Sequence, residues 1–474
     1  MAERQVEAHS ASLRKDLRLI DLILAQILVV IVPEFFGTAV KAGAAHVMLW
    51  ICAVVLFFIP QGLVVAKLNR LLPLEGGLYE WTRLAFGDRI GFLTAWNVWL
   101  SFIIQVSQVA LVTTTYVMYA FGPRAAWIAQ SKALILAASV VLIAVLMWVA
   151  RLGLRVGKWV SNAGSVITLL TLVGLIVLPF VLVRRGTLPA YHPLPWVVPP
   201  LTLFTLSVFG RMTFGALSGF EYVAIFAGEC RDPSRHLARS VLIAAPVIAL
   251  LYILGTSAIL AFVSPDAVDI IGPVPQALSL GFQSFGVVGI VAPIAILLVL
   301  ANYLCSYSIY VSGMARLPMV AGWDHLVPDW FARLHPTYRT PTNSILAVGG
   351  VALVTGTVVL IGVGVQEALF QLQSWIWGLY SLPYLVMFAI PLLSARRLGM
   401  QVSVWIRAAA VSGFIVVLLF LVLAVFPIVR VESNGEYTVK TIGVVVGENV
   451  AGAVLYALGN RMRMDRTLTF RAGL

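Results

Sequence analysis

Charged residues are scarce in this sequence of 474 residues. Only 11% of them are Asp, Glu, Lys or Arg, while 61% are hydrophobic. A typical soluble domain has about 25% charged and about 45–50% apolar residues. Because a soluble fold of this size could not bury so much apolar surface, the composition excludes a soluble globular protein. It predicts a chain that lies in a membrane.

Catalytic and metal-binding motifs are also missing. The three cysteines are far apart, with neither a disulfide framework nor a metal-ligand spacing, and the six histidines stand in predicted loops or tails. No GxxxxGK[ST] sequence is present, which argues against an ATP-driven pump. The sequence therefore predicts no enzyme, no metal site and no cofactor beyond a coupling proton or sodium ion.

Long apolar runs fill almost the whole chain, and twelve of them are long enough to cross a bilayer. The polar start of the chain argues against a cleavable signal peptide. We predict an all-α polytopic membrane protein, with a cytoplasmic tail at 1–18, a transmembrane domain at 19–460 and a second cytoplasmic tail at 461–474. The predicted spans are 19–40, 45–66, 90–119, 133–150, 159–183, 203–228, 240–263, 284–315, 343–363, 367–393, 407–429 and 440–460.

The basic residues follow these spans. The net charge is +12, but no dense basic patch is present, so nucleic acid is not expected as a partner. With the N-terminus in the cytoplasm, 24 of the 32 Lys and Arg residues fall in cytoplasmic segments and seven in outer segments, leaving Arg211 within or near span six. This bias predicts a multi-pass protein of the cytoplasmic membrane with both termini inside.

Spans one and six carry residues that interrupt helices. Span one has Pro33, Glu34 and Gly37 near its middle, and span six has two glycines shortly before Glu221. Proline removes a backbone donor, and glycine tolerates unwound backbone, which survives at membrane depth only beside protein or a water-filled cavity. Interrupted helices at equivalent places in two inverted halves indicate a transporter's central site. The alternative is two simple kinks with packing glycines.

Three blocks of sequence resemble the amino acid–polyamine–organocation superfamily. They run from Pro73 to Trp96, from Ser218 to Arg235 and from Met314 to Pro341, after predicted spans two, six and eight. The resemblance implies a LeuT-type fold of two inverted five-helix repeats, about 19–183 and about 203–393, with helices one and six broken. Helices eleven and twelve, about 407–460, are appended.

The resemblance also implies a function. It implies a secondary active permease that moves amino acids by alternating access, as a proton- or sodium-coupled symporter or as an exchanger. The superfamily's first break is usually a glycine-serine-glycine type stretch whose amides hold the substrate carboxylate. Here Pro33 supplies no amide and Glu34 would attract an ammonium group. A polyamine or other organic-amine transporter or antiporter of the same fold is therefore the alternative.

The candidate site lies between the two breaks. Glu221 is expected to meet an amine or to take up a proton, unless it is a protonated acid bonded to unwound backbone. Arg211, about 15 Å along the helix from Glu221, is expected in the outer vestibule or at the interface. The substrate-binding candidates are Val32, Pro33, Glu34, Gly37, Gln105, Ser218, Gly219, Phe220, Glu221, Asn302 and Ser306, and the gating candidates are Glu221, Glu229, Arg231 and Arg235.

Several alternatives stay open at this point. Arg231 and Arg235 serve equally well as topology determinants, and Trp377 and Tyr380 of span ten as packing residues. Span five has no lysine, so a lysine-based proton relay is not expected. A channel would show ringed charges or a repeated filter loop, and a sensor an appended soluble domain; the sequence has neither. The oligomeric state is left open, with Glu448 as a candidate for packing or subunit contact.

Overall fold

The computed structural model describes residues 15–74, 76–285, 288–323, 328, 330–360, 364–428 and 433–472. Helices form almost all of this part of the chain, and no strand occurs in it. Long apolar runs favour helices because a helix satisfies its own backbone hydrogen bonds where no water is present. Glu75 and Asp324, which belong to the sequence blocks above, and most of the predicted N-terminal tail lie outside the described residues.

Ten described helices are each long and apolar enough to cross a bilayer, and a bent pair at the N-terminal end makes an eleventh span. The predicted sixth span, 203–228, corresponds to the segment 203–229, whose helical pieces are each too short for that test. We number the spans one to twelve in chain order, with the bent pair as span one. The other ten spans are Gly43–Leu71, Asp88–Phe121, Lys132–Arg151, Val156–Arg184, Pro233–Leu260, Ile290–Pro318, Thr342–Val359, Glu367–Ser394, Val404–Leu423 and Asn434–Arg461.

Span one is broken where the sequence predicts it. The helices Leu19–Val30 and Glu34–Val40 meet at an angle of 52°. Ile31 adopts an extended backbone conformation, and Pro33, which has no N–H, precedes the second helix. Every residue of that second helix is buried. The break therefore lies inside the protein and not at the lipid surface.

The break in span six has a different backbone structure. The helix Leu203–Gly210 continues into a widened turn at Arg211–Gly215, and a 3-10 helix at Tyr222–Glu229 follows the break. Gly219 lies in the break with φ of +122°, a value that favours glycine. A 3-10 helix of eight residues is uncommon, because most such helices extend over three or four residues.

The two breaks pack directly against each other. A Cβ added to Gly215 would lie 2.2 Å from the Phe35 ring, and one added to Gly219 would lie 3.3 Å from the side chains of Val29 and Val30. The glycines of span six therefore make room for the residues of span one. This packing brings the predicted site residues of both spans into one region.

Candidate functional site

Glu221, at the break of span six, is held by two tyrosines of span ten. Its carboxylate accepts hydrogen bonds from the hydroxyls of Tyr380 and Tyr384, one at each oxygen. The Tyr384 hydroxyl also accepts the N–H of Gly219 at 2.6 Å. The side-chain amide of Gln61 lies 2.7 Å from the Tyr384 hydroxyl. When this amide is oriented with its nitrogen toward Leu217, the nitrogen donates to the Leu217 carbonyl at 2.7 Å. Glu221 is thus fully hydrogen-bonded and joins spans six and ten.

Hydroxyl groups also satisfy the break of span one. Tyr252 of span seven accepts the N–H of Val32 at 3.0 Å and donates to the carbonyl of Val30 at 2.9 Å. Tyr310 donates to the carbonyl of Val29 at 3.3 Å, and Ser306 donates weakly to that of Leu28 at 3.4 Å. The last carbonyls of the helix Leu19–Val30 therefore face hydroxyl donors of spans seven and eight.

Glu34 has a different environment. Its side chain is 3% exposed, and neither carboxylate oxygen makes a hydrogen bond of standard geometry to a described residue. The hydroxyl of Tyr303 is its polar neighbour. Burying a carboxylate without a partner is costly, and such groups usually mark a functional site. Here the buried carboxylate belongs to Glu34, the residue that directly follows Pro33 at the break.

Three tyrosines form a wall beside Glu34. The Tyr116 and Tyr303 ring centroids are 5.3 Å apart, and those of Tyr303 and Tyr307 are 6.0 Å apart. All three tyrosines lie close enough to Glu34 to interact electrostatically with its carboxylate. Within the described residues, their buried hydroxyls have no hydrogen-bond partner of standard geometry. We call Glu34, Tyr116, Tyr303 and Tyr307 the tyrosine cage.

A cavity of about 1400 Å³ leads from the protein surface to Glu34. Its mouth includes the exposed residues Gln130 and Asp266, and its inner wall includes Phe35 and Trp377. We call the side of the protein with Gln130 and Asp266 the open face. The charged residues that line the cavity are Lys41, Lys132, Arg211, Glu34, Asp266, Asp269 and Glu367.

An aromatic partition separates this cavity from a second, smaller one. The rings of Phe35 and Trp377 meet edge to face at 5.1 Å, and Trp377 lines both cavities. The smaller cavity, about 20 Å³, lies between the two breaks, and Gln105 Oε1 and Ser218 Oγ on its wall have no described partner. Four of the predicted binding residues line it, namely Val32, Gln105, Ser218 and Gly219.

The opposite side of the protein, the closed face, is sealed by a buried ion pair. Arg316 of span eight donates to Glu229 at 2.5 Å and to the carbonyl of Ser312 at 2.6 Å, with its guanidinium 5.3 Å from the Phe226 ring centre. The backbone of Leu17 pairs with residues 229 and 231 there. The predicted gating residue Glu229 therefore finds its partner on span eight.

Some predicted residues lie elsewhere than expected. Arg231 and Arg235 are exposed, with no side-chain ion pair in the described residues, so they do not share Glu229. Phe220 stacks on Phe58 of span two at 4.7 Å and so faces away from the smaller cavity. Gly37 packs against the loop at 269–273, since a Cβ there would lie 3.1 Å from the Cα of Ile270.

The remaining predicted residues border the first break. Pro33 forms the break itself, and Asn302 is buried with its backbone carbonyl accepting from Ser306 at 3.2 Å. The tyrosines of spans three, seven and eight were not predicted as site residues. Tyr303, Tyr307 and Tyr310 stand at i, i+4 and i+7, a stripe on one helix face that could have been recognised.

Arg211 lies in the cavity wall, as expected from its place in span six. One terminal nitrogen donates to the carbonyls of Ala424 and Phe426 at 3.1 Å each and to the Tyr437 hydroxyl at 3.3 Å, and the guanidinium lies 5.0 Å from the Phe370 ring centre. These contacts orient it toward the end of span eleven. No group of three or more His, Cys, Asp or Glu in the described residues could hold a metal ion.

Residues 18–447 match the family described as amino acid permease. The chain belongs to this family. An uncharacterized transporter of Legionella pneumophila is 28% identical over 79% of this chain and 80% of its own length. A probable agmatine/putrescine antiporter of Lactococcus lactis is 25% identical over 78% of this chain and 76% of its own.

The fold agrees with that membership. A crystal structure of MhsT in complex with L-phenylalanine matches with a TM-score of 0.63 at 17% identity, covering 87% of this chain and 98% of that one. The permease is thus an all-α polytopic membrane protein of LeuT-type fold with helices one and six broken, as predicted. The repeat boundaries and the predicted tails stay predictions.

Proposed function

We propose that this permease is a secondary transporter of amino acids and related amines, and that Glu34 receives the protonated amine of the substrate. The buried carboxylate of Glu34 supports this proposal, because it lies at the inner end of the cavity, directly after the break of span one, and makes no hydrogen bond of standard geometry to a described residue. An ammonium group brings a positive charge and three N–H donors that the carboxylate of Glu34 could accept. Binding would therefore relieve the cost of burying the carboxylate.

Alternating access fits the asymmetry between the two faces. With the N-terminus on the inner side of the cytoplasmic membrane, the cavity opens outward and the Glu229–Arg316 pair closes the cytoplasmic face. Transport then requires the Phe35–Trp377 partition to seal and the ion pair to separate, as the broken helices rock around the site. The smaller cavity between the breaks, about 20 Å³, would have to widen in order to hold a substrate during this exchange.

The coupling ion is the second part of this proposal. In transporters with broken helices, unwound carbonyls at the break coordinate sodium. Here the carbonyls of Val29 and Val30 already accept hydroxyl protons from Tyr310 and Tyr252. We therefore expect transport without a sodium requirement, driven by a proton gradient or by exchange of one substrate for another.

Uptake into proteoliposomes tests this function. Radiolabelled basic and neutral amino acids and diamines would be offered with a proton gradient, with a sodium gradient, or with substrate preloaded inside. We expect saturable uptake of at least one amine-bearing compound that a sodium gradient does not increase. Uptake that never saturates would indicate a channel, and strict dependence on sodium would contradict the proposed coupling.

A further inference from the structure

We propose that the connection between spans five and six is a membrane anchor, in which residues 194–201 lie in the headgroup region of the leaflet at the open face. We call these residues, with the sequence LPWVVPPL, the apolar connector. Their composition, their exposed side chains and the depth at which neighbouring spans hold them all point to phospholipid as the partner. This contact does not depend on which substrate the permease carries.

The connection has an unusual composition for a loop between two spans. From Gly186 to Gly210 the sequence has no Asp, Glu, Lys or Arg, and five of the twelve residues 189–200 are prolines. Loops that are surrounded by water are usually polar. Proline has no N–H, so it removes backbone donors that would be costly to place away from water. The composition therefore suits a segment that lies against lipid.

The side chains of the apolar connector are exposed although they are apolar. Trp196 is 73% exposed, Val198 76% and Leu201 87%. Exposed apolar patches mark interaction sites, and Trp is enriched at membrane–water interfaces because its ring is apolar and its N–H is polar. The patch continues into Leu203 and Phe204, which are exposed at the start of span six. It is thus continuous with the exposed surface of a membrane-spanning helix.

Contacts with span five define the depth of the segment. Span five ends at Arg184, and Gly186, with φ of +72°, then turns the chain back. The rings of Phe180 and Tyr191 meet edge to face at 5.0 Å. Phe180 is exposed and lies four residues before Arg184, about 6 Å inside the end of the span. The chain has therefore returned below the level of Arg184 before the apolar connector begins.

Span seven holds the segment at a similar depth. The hydroxyl of Ser257 donates to the carbonyl of Pro193, the residue before the apolar connector. Ser257 lies three residues before Leu260, where span seven ends, and so about 4.5 Å inside that end. The chain leads from Leu260 to Asp266, which places the apolar connector at the open face.

One turn inside the ends of these spans is the headgroup layer of a bilayer. Spans five and seven have 29 and 28 residues, about 42–44 Å of helix, against about 30 Å of hydrocarbon and about 40–45 Å with the headgroups. Residues 195–202 form neither helix nor strand, and lipid-exposed backbone of this kind does not occur in the hydrocarbon. Interfacial segments bury apolar side chains about 5–10 Å into the boundary of headgroups and acyl chains. The apolar connector fits this layer.

Quenching of a fluorophore at single cysteines tests the anchor. Cys52, Cys230 and Cys305 would be replaced by serine in the full-length chain, and Trp196→Cys or Val198→Cys would then be introduced and labelled with the fluorophore NBD. The labelled protein would be reconstituted into vesicles of phosphatidylethanolamine and phosphatidylglycerol. A nitroxide attached to the lipid headgroup reports contact with the interface, and iodide reports contact with water.

Two further cysteines calibrate these signals. Val177→Cys lies on the exposed surface of span five, about 10 Å inside its end, and Ser264→Cys lies in the exposed loop after span seven. We expect the nitroxide to quench the labels at 196 and 198 about threefold more than the label at 264, and iodide to quench them about threefold less. The label at 177 should be the one that iodide quenches least.

Three results would overturn the proposal. Iodide quenching at 196 and 198 equal to that at 264 would place the segment in water. Protection from both quenchers would show that protein covers it, such as a second copy of the chain. Loss of folding in both Trp196→Cys and Val198→Cys would show that these side chains pack against protein. If only Trp196→Cys fails to fold, Val198→Cys decides alone, since it keeps Trp196.

Discussion

Glu34 and Glu221 look alike in the sequence and differ in the structure. Each is an acid beside a helix break, and each side chain is 3% exposed. Glu221 accepts two tyrosine hydroxyls, whereas Glu34 lies at the end of a large cavity with no hydrogen bond of standard geometry to a described residue. A buried acid at a break is therefore not enough to define a role. Its partners decide whether it holds the fold together or binds a ligand.

The energies of the two acids explain this division. A buried group that loses its partner costs about 1–3 kcal/mol, and an unpaired charge costs more. Glu221 avoids that cost through Tyr380 and Tyr384 and in return fixes span ten to the break of span six. Glu34 has no such partner of standard geometry among the described residues. If Glu34 receives a cationic substrate as proposed, binding would remove this cost and stabilise the arrangement in which the cavity is open.

Removal of the charge at Glu34 should produce the largest loss of transport. Glu34→Gln keeps the shape of the side chain but cannot pair with an ammonium group. We expect uptake of the best amine to fall by about 100-fold, or about 2.8 kcal/mol. The melting temperature in detergent should stay the same or rise, because no described partner is left unpaired. A large drop in melting temperature would mean that Glu34 is a structural residue like Glu221.

Glu221 should show the reverse pattern. Glu221→Ala leaves the hydroxyls of Tyr380 and Tyr384 without their acceptor, at about 1–3 kcal/mol for each. We expect a clearly lower melting temperature and a fall in uptake of about tenfold, the second as a result of the first. The double variant Tyr380→Phe with Tyr384→Phe is the control, since it removes both donors but leaves the acid. If Glu221→Ala melts normally and loses only substrate binding, Glu221 belongs to the binding site.

The sequence was sufficient to predict the fold class, both breaks and the two acids. Proline and glycine beside an acid at membrane depth interrupt a helix, so Pro33 and Gly219 could be recognised without any structure. The hydrogen-bond partners of the two acids could not be predicted from the sequence. Tyr380 and Tyr384 stand 159 and 163 residues from Glu221, and Tyr252 stands 220 from Val32. Helix packing brings these pairs together, and apolar periodicity in a membrane carries little information about packing.

The sequence also could not show which basic residue pairs with Glu229 at the closed face. The sequence makes Arg231 and Arg235 candidates for gating salt bridges because they lie close to Glu229 along the chain. The partner of Glu229 is Arg316, 87 residues away, which enters the closed face from span eight. Short spacing in a loop predicts which side of the membrane a residue occupies, but not which charge it meets. Phe220 shows the point again, since the turn at Gly219 directs its ring to Phe58.

Glu229 extends the comparison to an acid with a true counterion, and its variants should have the smallest effect on transport of the three. Arg316→Gln leaves Glu229 buried without its charge partner, and breaking such a pair costs about 3–5 kcal/mol in the conformation that contains it. If transport proceeds by alternating access as proposed, each cycle breaks this pair, so its loss would destabilise the conformation that contains it. We expect about a fivefold change in uptake rate, with higher accessibility of a cysteine introduced at Ser312 to reagents from the cytoplasmic side.

The double variant Arg231→Gln with Arg235→Gln is the matched control, because both side chains are exposed and unpaired in the described residues. Its uptake should stay within about twofold. If the double variant changes the accessibility of position 312 as much as Arg316→Gln does, the gate is shared among all three arginines and the distinction drawn from the Glu229–Arg316 pair is lost.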